Sequence, residues 1–275
     1  MRHAELAYFI KERVAIALQR EIEAPPPWTM DLILRTYRFC NVYREWDPVS
    51  KEVRAWLNCG PHHLEGRAAL ARYLNEPQSL WALGTAPAWR PEVFLAILKS
   101  RRTAGYRIFN PAYIVSTNGV AMDKLEYVID LVKRVDEQVH LDGNETLAEA
   151  AEMFQAVRGV GSFMAGQLIA DLKHQPVLQH APDWWTWCTP GPGSMRGLNR
   201  VLDEPVKIKW KPADFIHEIY GLGVQLNPLL GGLPGRLCAQ NLQNCLCEFD
   251  KYMRVKLGEG KPKQLYAPSV PKFFN

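Results

Sequence analysis

Apolar residues recur at spacings of three and four through most of the chain, so the pattern predicts helices almost throughout. Residues 1–24, MRHAELAYFIKERVAIALQREIEA, carry Glu5, Lys11, Glu12 and Arg13 inside their apolar repeat. That predicts an amphipathic helix rather than a signal peptide, and a protein that stays inside the cell making it. The run APPPW at 24–28 ends this helix. Thr29 is placed to cap a second one, with Asp31 in its first turn favouring the dipole. It is predicted to continue to Asp47 and stop before Pro48. Helical periodicity returns over 65–74, 91–102 and 122–139, on both sides of a glycine pair near 160, and over 212–220 and 237–257. Residues 183–200 read as loop first and helix toward their end, and the tail 267–275 as extended chain. No alternating run exceeds four or five residues, and no internal repeat is present. The expected architecture is all-α: one compact domain spanning 1–275, with the helices of 1–60 packed onto it.

The glycine pair lies in AVRGVGSFMAGQL, residues 156–168. A glycine inside a helix costs about 1 kcal/mol against alanine. Gly159 and Gly161 around Val160 therefore predict helix, tight hairpin, helix. Such a hairpin gathers backbone N–H groups near the start of the second helix, where an anion such as a DNA phosphate binds. Ser162 is placed to cap that helix, and Arg158 to reach a neighbouring phosphate. Contacts of this kind position a duplex without reading its sequence. A plain turn between core helices fits the same residues.

Composition adds little and excludes some classes. Hydrophobic residues make up 47% of 275, enough for a proper core, yet no run approaches the roughly 20 apolar residues of a membrane span. The formal charge of +4 permits a polyanion partner without requiring one. Basic runs at 99–107, 207–211 and 254–263, with Tyr106 and Trp210 among them, read as solvated faces or as a nucleic-acid surface. Six cysteines match no common zinc framework and are expected as reduced thiols, with no metal site.

FQAVRGVGSFMAGQLIADL closely resembles the helix-hairpin-helix of the DNA glycosylase superfamily. The resemblance covers residues 147–200 and implies a glycosylase-like helical domain with extra N-terminal helices. It places the catalytic aspartate at Asp183 in HAPDWW, while Asp171 reads as a helix-surface or structural residue. CAQNLQNCLC has three cysteines rather than the four of an iron–sulfur site, so no cluster is expected. A second resemblance is more specific. RTYRFCNVYREWD at 35–47, GPGSMRGLNR after Asp183 and NCLCEFDKYMR at 244–254 are similar to the α-glutamyl/putrescinyl thymine pyrophosphorylases of bacteriophages. That family implies an amine:DNA transferase. A kinase first pyrophosphorylates 5-hydroxymethyluracil in DNA, and the transferase displaces pyrophosphate with an amino acid, for example glycine, or a polyamine. The partners implied are double-stranded phage DNA carrying modified thymine and a small amine, in the cytoplasm of the infected host. A monomer with no resident cofactor is expected, a divalent metal accompanying the pyrophosphate being compatible.

This chemistry needs a base pocket, an anion site and a proton acceptor. Trp184, Trp185 and Trp187 offer rings for a flipped base, or fill core. On a helix over 29–47, Phe39, Val42, Tyr43 and Trp46 share one side, leaving Arg38, Asn41 and Glu45 opposite and Arg44 at the edge. Arg38, Asn41 and Arg44 thus suit pyrophosphate, as does the glycine-rich turn TPGPGSMRG with Gly193 and Arg196. Lys251 and Arg254 form a third set, and any of these could grip the DNA backbone instead. Asp183 is the expected proton acceptor, with Glu248 in reserve, either functional or paired with Lys251. A base-excision glycosylase on the same scaffold and a non-catalytic DNA-binding module are the competing readings. Asp183 argues against the module, and the 35–47 motif argues for the transferase over the glycosylase.

Overall fold

The computed structural model describes residues 1–60, 62–84, 89–111, 115–262 and 264–266; the tail expected to be extended lies outside them. The described residues form α1 (His3–Glu21), α2 (Leu32–Thr36), α3 (Pro48–Leu57), α4 (Leu64–Leu74), α5 (Pro77–Trp81), α6 (Pro91–Thr103), α7 (Lys124–Gln138), α8 (Leu147–Ala156), α9 (Ser162–Leu172), α10 (Pro192–Leu202), α11 (Pro212–Leu226) and α12 (Ala239–Lys256). Local chemistry accounts for many of the boundaries. Proline opens α3, α5, α6, α10 and α11, where its missing N–H costs nothing. Asp123 caps α7 by accepting from the Leu125 and Glu126 amides, and Thr146 with Glu149 forms a capping box on α8.

The chain divides into two compact units, Asp47–Trp187 and a second made of Met1–Trp46 with Cys188–Asn275. The boundary falls inside the 1–60 stretch, so residues 47–60 belong with α4 to α9. In the Asp47–Trp187 unit, α4 is buried on all sides from Gly66 to Leu74, including two arginines. Arg72 satisfies its burial through Asp171 of α9. Its Nε donates to one carboxylate oxygen at 2.7 Å, its Nη2 to the other, and Nη1 donates to Asn75 at 3.0 Å. Asp171 is therefore structural and 1% exposed, not a surface residue.

In the other unit, α10 packs closely on α12. A Cβ on Gly197 would lie 2.0 Å from the Leu246 carbonyl oxygen, and one on Gly193 would lie 2.5 Å from Cys247 Sγ. These glycines, four apart on one helical face, let the backbones approach. Gly193 thus belongs to a helix–helix contact and not to a phosphate-cradling loop, which corrects its expected role.

The predicted helix over 29–47 is also corrected. Only α2 forms there, capped by Asp31, whose carboxylate accepts from the Ile33 and Leu34 amides. Thr29 instead accepts from the Asp31 amide. Tyr37 turns extended and pairs antiparallel with Leu265, and the Arg38 amide donates to Gln264 at 3.1 Å. A short 3-10 turn at Arg44–Trp46 follows, and Pro48 starts α3 rather than ending a helix. The opposed faces expected for Arg38, Asn41 and Glu45 do not exist.

Gly197→Ala should lower unfolding free energy by about 3 kcal/mol, because the new methyl meets backbone that cannot rotate away. Chemical denaturation measures this; an unchanged midpoint would show that α10 and α12 separate without penalty.

Candidate functional site

The hairpin has the expected helix, turn, helix form. Val157 and Val160 are buried and anchor the turn. Gly159 has φ +102°, and a Cβ there would lie 2.8 Å from the Tyr127 hydroxyl and 2.9 Å from Leu131 Cδ1. Glycine is required on both counts. The Gly159 carbonyl accepts from the Tyr73 hydroxyl at 3.4 Å, and the Arg158 carbonyl from Arg134 Nη2 at 3.3 Å. Gly161, by contrast, has φ −86° and open space around its missing side chain, so its role is not conformational necessity. It is also the N-cap of α9; Ser162, expected to cap, is the first helical residue, and α9 has no side-chain cap. The first-turn amides of α9 lack intrahelical acceptors, and Gly161, Ser162 and Phe163 are exposed around them, as is Arg158. An anion can reach this end of α9.

Asp183 stands at the start of α8. Its two oxygens accept from the Leu147 amide at 2.7 Å and the Ala148 amide at 3.1 Å. With Thr146 on the Glu149 amide at 3.1 Å, the first turn of α8 is fully capped. A carboxylate so placed also favours the positive end of the helix dipole. Asp183 thus fixes α8, and any proton it takes must come to a lone pair that capping leaves over.

The three tryptophans separate. Trp184 donates Nε1–H to the Lys173 carbonyl at 2.8 Å, and Lys173 Nζ lies 3.6 Å from its ring centroid. Trp187 packs on the core. Trp185 is 46% exposed, with its ring edge-on to Trp184 at 4.7 Å, and is the one of the three that offers a ring to solvent.

The remaining candidates lie in the other unit. Beyond the short backbone pairing of Tyr37 and Arg38, residues 38–41 are held by side chains. Arg13 Nη2 donates to the Phe39 and Cys40 carbonyls at 3.1 and 3.2 Å, and Asn244 Nδ2 to the Asn41 carbonyl at 2.9 Å. Glu248, 6% exposed, accepts from the Cys40 amide at 3.0 Å and from Lys251 Nζ at 2.7 and 2.9 Å. Lys251 reaches the Arg38 carbonyl at 3.4 Å. Glu248 and Lys251 are therefore a structural clamp, and the pairing alternative for Glu248 is the one realised. Arg38 is exposed, whereas Arg44 is half-buried with an Nε that lacks a hydrogen-bond partner among the described residues.

Arg196 belongs to a cluster that sequence spacing only partly showed. Asp250, 1% exposed, accepts from Arg196 Nε and Arg200 Nε at 2.9 Å each, and Arg254 Nε lies 3.6 Å away. Arg200 also pairs with Glu259 and holds that carboxyl below its ordinary range by hydrogen bonding. Three guanidiniums against two carboxylates leave a positive surplus, and Arg196 and Arg254 are more than a third exposed. Positions 196, 200 and 254 with Asp250 share the α10 and α12 spacings i, i+4, which was the available signal. Burial pushes the neighbouring Cys247 thiol up to about 11, so it is an unreactive packing group. No group of three or more metal-ligating side chains occurs among the described residues, and no helix among them is long and apolar enough to cross a membrane.

Gly159→Ala should cost about 2 kcal/mol of stability and weaken duplex binding, while Gly161→Ala leaves the unfolding midpoint within about 0.5 kcal/mol. Denaturation and gel-shift titration test the pair; equal behaviour of the two variants would contradict the turn geometry. Asp183→Asn should lower stability by about 1 kcal/mol, the usual worth of a cap, read from the same denaturation curves.

A family model described as "5-hmdU DNA kinase, helical domain" matches residues 2–262. A 5-hmdU DNA kinase of Bacillus phage SP10 is 27% identical over 232 residues, which cover 72% of this chain and 36% of that protein. The chain thus spans about a third of the length of this curated relative. No solved structure matches. With nearly every described residue inside the matched range, the chain belongs to the family of 5-hmdU DNA kinase helical domains.

Proposed function

We propose that this chain acts in thymine hypermodification on phage DNA, engaging a duplex that carries a 5-hydroxymethyluracil derivative. The observation that carries this reading is the match of residues 2–262 to the helical domain of 5-hmdU DNA kinases. The geometry supports it in two places. The uncapped α9 terminus at the Gly159 turn offers amides to a backbone phosphate. The Arg196–Arg200–Arg254 cluster offers a fixed cationic surface to a more highly charged group.

The chemistry proposed for the chain is displacement of pyrophosphate from the base methylene by an amine. The amine nitrogen forms a bond to the methylene carbon, the C–O bond breaks, pyrophosphate leaves with the electron pair, and a proton leaves the nitrogen. Two kinds of group are needed, cations that stabilise the departing charge and a proton acceptor. The exposed edges of Arg196 and Arg254 suit the first.

One observation favours a second reading. The SP10 relative is named for phosphorylation, and this chain matches about a third of it. The sequence also contains no G-x-x-x-x-G-K-[ST] phosphate loop. On that reading the helical chain presents the modified base, and a separate part or partner handles the phosphoryl donor.

Mass spectrometry of nucleosides decides between them. Pyrophosphorylated duplex incubated with the protein and candidate amines should yield an aminated nucleoside with release of pyrophosphate. Preferential binding of 5-hydroxymethyluracil duplex over thymine duplex, with no new nucleoside, would favour the presenting role. Release of free base would favour a glycosylase.

A further inference from the structure

Within the unit made of Met1–Trp46 and Cys188–Asn275, one edge of the arginine cluster is covered by a carboxylate that none of the preceding roles uses. Arg200, 5% exposed at its side chain, presents two edges. Its Nε donates to Asp250 at 2.9 Å, and its Nη1 and Nη2 donate to the two oxygens of Glu259. That second contact has the paired, planar geometry by which a guanidinium takes either a carboxylate or a phosphate. The two carboxylates are not equivalent, because Asp250 is 1% exposed and Glu259 is 44% exposed. Hydrogen bonding to Arg200 holds the Glu259 carboxyl below its ordinary range, and the charges of Arg254 and Arg2 add to this.

The donors around Glu259 exceed what the two carboxylates take up. Arg254 Nε is buried 3.6 Å from Asp250, with no hydrogen-bond partner among the described residues. A buried N–H in that state is costly unless an oxygen comes to it. Arg196 uses its Nε on Asp250 and stays more than a third exposed. Glu259 can leave Arg200 without moving the backbone. Its amide donates to the Arg254 carbonyl at 2.8 Å, so only side-chain torsions need to turn. On either side of it, no heavy atom lies within 4 Å of where a Cβ on Gly258 or Gly260 would stand, so water is open to the displaced carboxylate.

Charge decides what can replace it. A DNA backbone phosphate carries one negative charge, as Glu259 does. It therefore gains no extra attraction to offset the freedom lost on binding. A terminal phosphate carries about −1.5 to −2 at neutral pH, and in pyrophosphate the second phosphate adds to it. We propose that Glu259 is a specificity residue, which covers the open edge of Arg200 against the DNA backbone and yields it, with Arg196 and Arg254, to pyrophosphate. This rests on the reading above in which pyrophosphate is released. Selectivity here comes from a repulsive element built into the site as much as from the arginines that attract.

Calorimetric titration of the full chain with inorganic pyrophosphate, and gel-shift titration with unmodified duplex at matched ionic strength, test this. Glu259→Gln should bind pyrophosphate about tenfold tighter or more, because a like charge has left the site. Arg254→Gln should bind it about tenfold more weakly; Arg196→Gln serves in its place if that variant does not fold. Unmodified duplex should bind Glu259→Gln several-fold tighter than wild type, and saturating pyrophosphate should abolish that gain. Equal pyrophosphate affinity in wild type and folded Glu259→Gln, no pyrophosphate binding to either, or a duplex gain that persists in saturating pyrophosphate would each overturn the proposal. None of these measurements uses the transfer reaction. Absence of an aminated nucleoside defeats the reaction reading alone, and the affinities then judge Glu259 by themselves.

Discussion

The Arg72–Asp171 ion pair is the constraint on which the Asp47–Trp187 unit turns. Both side chains are 2% exposed, so each charge has left water. Such a transfer costs several kcal/mol per ion and is offset only by close, fully hydrogen-bonded geometry. Here the guanidinium meets the carboxylate through two bonds and gives a third to Asn75. Removing either partner alone would strand a buried charge at a cost of about 3–5 kcal/mol. The pair joins α4 to α9, and α9 begins at the hairpin. The direction in which the hairpin amides face thus depends on an interaction at the far end of the same helix. Asp250 and Arg200 do comparable work between α10 and α12, where a 1%-exposed carboxylate meets a 5%-exposed guanidinium.

What sequence pattern could show was whatever local chemistry determines. The helices over α1, α7, α8, α9 and α12 follow from apolar repeats and nearby caps such as Asp123 and Thr146. The turn at Gly159 follows from glycine's backbone freedom, although only one of the two glycines needs it. Residues 37–43 were not readable, because what competes with the helix there is a set of side chains as distant as Glu248, 208 residues on. Gly193 looked like part of a phosphate loop, because a close approach to Cys247 cannot be inferred from one helix alone. Asp183 stands out in the sequence as a proton acceptor, but its bonds to the Leu147 and Ala148 amides, which make it a cap of α8, join residues 35 and 36 apart and carry no local signal.

The two units divide the chemical resources of the chain. The Asp47–Trp187 unit holds the hairpin and the exposed Trp185. The other holds the arginine cluster around Asp250 and the exposed Arg38. Neutral donors and an aromatic ring suit a base and a diester backbone, while clustered guanidiniums suit a more highly charged oxyanion.

The clamp on residues 37–43 has a mechanical consequence. A helix melts cooperatively, because each lost bond loosens its neighbours. Here Arg13 of α1 holds the carbonyls of both Phe39 and Cys40, while Asn244, Lys251 and Glu248 of α12 hold the Asn41 carbonyl, the Arg38 carbonyl and the Cys40 amide. Release of Asn244 frees one peptide group and leaves the others in place, whereas loss of Arg13 frees two, and the bonded Glu248 and Lys251 act together. The segment thus yields in a few separate steps and not as one cooperative unit.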